Sequence, residues 1–131
     1  MLTVPVFLLA VNCAVSPYLR IPPEDRSILY RAASEYGLQG EARRLLFAIY
    51  LAEQGTPGRE MGVLRPRAQR FAGDHAKSLR LQARWAAGTI RKRFTGDLAA
   101  FAARWCPENV HPKNRHWLRN AQALMQEGGA R

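Results

Sequence analysis

Glu41-Ala42-Arg43-Arg44-Leu45-Leu46-Phe47-Ala48-Ile49-Tyr50-Leu51-Ala52-Glu53-Gln54 is the stretch on which the fold turns. Leu45, Leu46, Ile49 and Ala52 recur at helical spacing, and Gly55 follows as a residue able to supply a left-handed cap, so a helix is predicted from about Glu41 to Gln54. Upstream, Pro22-Pro23-Glu24-Asp25 places proline and acids where a first helical turn wants them, and Gly37 is a natural stop. Downstream, Gly55 to Val63 is too rich in glycine to continue a helix and reads as a tight loop or a short hairpin. From about His75 to Phe94, Leu79, Ala83, Ala86, Ile90 and Phe94 line one face while Lys77, Arg80, Arg84 and Arg91 line another. Asp97 reads as the N-cap of a short helix, Leu98 to Trp105, which Pro107 ends. A polar loop follows, and a last helix from about Arg115 to Gln126 sets Trp117, Ala121 and Leu124 on one side. The expected fold class is all-α, a single domain of about five helices over residues 20–131, with an irregular loop or small β-hairpin near residues 55–64.

Twenty Lys and Arg against ten Asp and Glu give a formal charge of +10, and the excess lies after residue 40. Such a field suits a polyanionic partner: nucleic acid, an anionic membrane surface or the anionic bacterial wall. The first nineteen residues carry no charged side chain. They read as an apolar arm or a weak signal-like segment, too short for a stable membrane span and without a basic n-region or a clean small-x-small cleavage site. Cys13 and Cys106 are far apart with no Cys/His ligand spacing, so no metal and no cofactor is expected.

Glu53 is the residue that points to chemistry. It lies four residues after Ile49 and seven after Leu46, so it extends the stripe that those residues bury. Partial burial and the negative end of the helix dipole both favour the protonated acid. A carboxylic acid that keeps its proton is what glycoside cleavage needs, because the departing sugar oxygen must be protonated as the bond breaks. The competing account is a long acid that snorkels to water or pairs with an arginine. Glycines 55, 58 and 62, next along the chain, would let the backbone pass close to a ligand.

Glu60 is the best-placed second carboxylate in sequence, and its alternative is an exposed loop acid paired with Arg59 or Arg65. Retaining glycosidases hold their carboxylates about 5 Å apart and inverting ones about 6.5–9.5 Å. Asp74 and Asp97 read better as turn or N-cap residues. His75, His111 and His116 are dispersed and take surface or capping roles, and no serine or cysteine sits in a nucleophile motif. Tyr50, one turn before Glu53, is the aromatic best placed to stack on a sugar, while Trp85, Trp105 and Trp117 are expected mostly in the core.

The run Leu46-Phe47-Ala48-Ile49-Tyr50-Leu51-Ala52-Glu53-Gln54-Gly55, followed by Gly58-Arg59-Glu60-Met61-Gly62-Val63, resembles the catalytic helix and turn of lysozyme-like muramidases and lytic transglycosylases. Gln82 to Ile90, and Phe101 to Pro107 through Trp117-Leu118-Arg119-Asn120, are similar to the helical half of phage and bacterial cell-wall hydrolases. The resemblance implies a lysozyme-like fold, a peptidoglycan substrate and Glu53 as general acid, with Glu60 as a second catalytic candidate. Tyr50, Gln54, Gly62 and Gln82 are then the candidate substrate contacts. It also implies one glutamate acting as acid and then base while the sugar's own hydroxyl closes a 1,6-anhydro ring. Such an enzyme reaches the wall by export or by release through a phage holin. The turn Gln54-Gly55-Thr56-Pro57 departs from the Ser-Gly-Gly-like turn of the transglycosylases. Two alternatives stand beside the enzyme: a small basic helical nucleic-acid-binding protein using the helix from His75 to Phe94, and an inactive lysozyme-like protein kept for assembly.

Overall fold

The computed structural model describes residues 17–63, 69–106 and 114–126. Residues 1–16 of the apolar arm expected over 1–19, the loop after Pro107 and the glycine-rich tail lie outside the described residues. Those described form a 3-10 turn, Pro17–Arg20, and five α-helices: α1 (Pro23–Glu35), α2 (Gly40–Glu53), α3 (His75–Arg93), α4 (Leu98–Trp105) and α5 (Asn114–Gln126). No strand occurs among them, so the fold is all-α, and residues 55–63 form an irregular loop rather than a hairpin.

Local chemistry sets the helix boundaries. Pro23 starts α1 with Glu24 and Asp25 in its first turn. The side chain of Asp74 accepts from Lys77 N at 3.2 Å to cap α3, and that of Asp97 accepts from Ala100 N at 3.1 Å to cap α4. The end of α2 differs from expectation. The left-handed residue is Gln54, with φ 40°, the one non-glycine with positive φ among the described residues. Gly55 is required instead for close approach, since a β-carbon there would fall 1.7 Å from the carbonyl oxygen of Arg59.

Helix α2 is the hub. Leu45, Leu46, Phe47, Ala48 and Ile49 are all buried, more than one stripe allows, because α2 packs against α1, α3, α5 and the 3-10 turn. Helices α1 and α3 bring alanine-rich faces to the core, Ala32 and Ala33 on one and Ala83, Ala86 and Ala87 on the other, and pair extensively. Full burial of a leucine such as Leu46 contributes about 1.5–3 kcal/mol. Residues 17–19 join the same body: Tyr18 is buried and its hydroxyl donates to the carbonyl of Leu124 on α5 at 2.8 Å. Against the C-terminal end of α2 lies an aromatic group, in which Phe101 stacks on Trp105 at 5.7 Å and tilts against Trp117 at 6.5 Å.

Candidate functional site

The last turn of α2 divides its side chains between two flanks. Tyr50 and Gln54 line a cavity on one side, while Glu53 is bound on the other. On the Glu53 flank, Oε2 of its half-buried carboxylate accepts the indole N–H of Trp105 at 3.0 Å and that of Trp117 at 2.8 Å. These donors come from α4 and α5. Gly62 completes the contact: a β-carbon there would fall 2.5 Å from both Cδ and Oε1 of Glu53. With φ +75°, Gly62 also holds a conformation that L side chains rarely adopt.

Gly62 and Trp105 are at the same time walls of a cleft of about 700 Å³. Its other walls include Trp85, Tyr36, Arg84, Lys92, Arg93 and Arg104. Aromatic faces beside cations suit a sugar chain that carries negative charge. Cys106 is a buried thiol next to this site. Burial pushes its pKa up, and the negative charge of Glu53 adds to the rise.

On the other flank, Tyr50, Gln54, Gly55, Glu60 and His75 line a separate cavity of about 390 Å³. Here the expectations for Glu60 need correcting. It is buried, neither an exposed loop acid nor a wall of the Glu53 cleft. Its Oε1 accepts from Ser78 Oγ at 2.6 Å and its Oε2 from the backbone N of Gly58 at 3.1 Å. Glu60 therefore anchors the 55–63 loop to α3, and both its oxygens are occupied. Gln82 is corrected in the same way. It is fully buried; its Oε1 accepts from the backbone N of Met61 and Val63 at 3.1 and 3.0 Å, and its Nε2 donates to the carbonyls of Gly58 and Val63. A side chain so committed holds the loop and has no group left for substrate.

Tyr50 faces away from the cleft, and its hydroxyl donates to Asp25 Oδ2. Burial, and then that hydrogen bond, raise its pKa well above the ordinary tyrosine value. His75, assigned a surface or capping role above, is 55% exposed, yet its Nε2 lies 2.9 Å from Asp25 and its Nδ1 3.8 Å from Glu60. Of the sequence candidates, then, Gly62 lines the cleft and Glu53 packs against it, Tyr50, Gln54 and Glu60 stand together behind it, and Gln82 is internal.

Sequence reasoning missed Trp105 and Trp117 as partners of Glu53, and Asp25 and His75 as partners of Tyr50. A usable signal was present for the first pair: a buried indole N–H needs an acceptor, and Glu53 is the acid on the buried stripe of α2. Among the described residues no group of three or more His, Cys, Asp or Glu is placed to hold a metal ion, and no helix is long and apolar enough to cross a membrane. Comparisons with protein-family models, with curated proteins and with solved structures find no match to this chain.

Proposed function

We propose that the chain is a lysozyme-like, peptidoglycan-cleaving enzyme of the single-glutamate type, with Glu53 as general acid and then base. The observation that carries this is the setting of Glu53: a half-buried carboxylate held by two indole donors beside an aromatic, cationic cleft of about 700 Å³. Glycosidic oxygen leaves as an alcohol only if a proton reaches it during bond cleavage, and a carboxyl packed against two residues of the cleft wall is the group proposed to supply one. A second carboxylate does not enter the scheme. Glu60 is occupied in the rear cavity, and Asp74 and Asp97 are spent on helix caps. This supports the route in which Glu53 protonates the leaving oxygen and afterwards takes the proton of the sugar's own hydroxyl or of water.

The cations of the cleft wall that pair with no acid among the described residues, Lys92, Arg93 and Arg104, give the anionic wall polymer a matched surface. Nucleic-acid binding by α3 finds less support, because Arg91 is turned to the carbonyl of Tyr36 at 2.7 Å and Arg84 pairs with Glu35 at 3.3 Å. The test is release of soluble fragments from purified peptidoglycan by the wild type and by Glu53→Gln. Gln keeps an acceptor oxygen for the indoles, so the variant stays folded and loses cleavage; equal release by both would remove Glu53 from the chemistry.

A further inference from the structure

An sp² carboxyl oxygen has two lone pairs. Both of those on Oε2 of Glu53 are taken by N–H donors, Trp105 at 3.0 Å and Trp117 at 2.8 Å. An indole N–H can only donate, so neither partner can reverse its role and accept a proton from Oε2. We propose that Trp105 and Trp117 are positioning residues that hold Oε2 as a pure acceptor and thereby make Oε1 the oxygen that carries and delivers the proton. The inference rests on Glu53 being the acid of the preceding section, but its geometric half stands independently of activity.

The two indoles differ in kind. Trp105 is partly exposed and also lines the cleft, whereas Trp117 is 7% exposed, lies outside the cleft lining and packs on Phe101. Gly62 stands over the other oxygen, where a β-carbon would fall 2.5 Å from Oε1 and 2.9 Å from Oε2. Only glycine leaves room for the carboxylate at this position. In the reaction, the O–H bond at Oε1 breaks as the bond from the anomeric carbon to the leaving oxygen breaks. The proton goes to the leaving oxygen and the electron pair stays on the carboxylate. The oxygen of the incoming hydroxyl then bonds to the anomeric carbon as its O–H bond breaks, its proton goes to the same Oε1, and the carboxyl is restored. Throughout, Oε2 and its two donors do not move.

The experiment follows the indole N–H resonances of the full chain by ¹⁵N NMR from neutral to acid pH, assigned with Trp105→Phe and Trp117→Phe. Both resonances are expected to follow one shared curve that vanishes in Glu53→Gln, and both N–H groups are expected to stay protected from exchange after Glu53 takes its proton. Loss of protection at either indole on acidification would place the proton on Oε2 and overturn the proposal, as would a shared curve that persists in Glu53→Gln. The Cys106 thiol lies beside Glu53, and its raised pKa keeps it out of the acid range. In fragment release, Trp117→Phe lowers kcat on the order of 10–100-fold with KM unchanged, the size expected for a misplaced catalytic group. A rise in KM alone would make Trp117 a binding residue. A wild type that releases no fragments while the NMR result holds would sink the enzyme and leave the clamp.

Discussion

Gly62 packs on Glu53 so closely that a β-carbon would stand 2.5 Å from the carboxylate carbon. The contact joins a loop to the end of a helix through the proposed acid. Gly62→Ala brings two penalties, a left-handed backbone that alanine resists and a clash that the carboxylate must relieve. The variant is expected to lose about 1–3 kcal/mol in urea unfolding. Its fragment release falls more than its stability explains, because Glu53 is pushed from its donors. Release unchanged from the wild type would show that the contact is incidental.

Gln82 is the tether of the same loop, and the amides of Met61 and Val63 both end on its Oε1. Gln82→Leu fills the space but leaves those donors without an acceptor, at about 1–3 kcal/mol for each one that stays buried. Hydrogen exchange at Met61 and Val63 should quicken well before global unfolding. Retained protection would mean that the loop stands without its tether.

Tyr50 gives the molecule an alkaline limit. Its folded pKa is raised above the unfolded value of about 10, first by burial and then by its bond to Asp25. An acid with a raised folded pKa contributes stability that is present below the unfolded value and is lost as pH rises above it. Thermal unfolding of the wild type should therefore weaken from about pH 10 upward, and Tyr50→Phe should weaken less over that range. Parallel curves for the two proteins would count against the buried hydroxyl.

The cationic wall of the cleft sets a salt dependence. Lys92→Glu combined with Arg104→Glu puts acids where an anionic glycan is proposed to lie. Binding to purified wall should drop at low salt and converge on the wild type at high salt, where the Debye length is about 3 Å at 1 M. Equal binding at low salt would place the glycan elsewhere.

The helices were legible because their signals are local. Pro23 at the start of α1, Asp74 and Asp97 as caps and the apolar spacing of α2 each act within a turn or two, and the observed ends fall within a residue or so of those expected. Glu53 was legible for the same reason, as an acid on a buried stripe. Its donors were not, because Trp105 and Trp117 lie 52 and 64 residues along the chain and meet it only through packing. Asp25 was hidden by a sufficient local explanation. An acid in a first helical turn needs no further partner, yet this one is 4% exposed and holds Tyr50 and His75. Glu60 and Gln82 misled in the opposite sense, since polar residues near a proposed acid look like substrate contacts until their own hydrogen bonds are known.

Trp117 belongs to α5, which follows α1 to α4 in the chain. Synthesis therefore makes the acid long before it makes one of its two holders. A chain cut between Trp105 and Trp117 loses α5, the helix that packs most extensively on α2, and leaves Glu53 with one of its two indole donors.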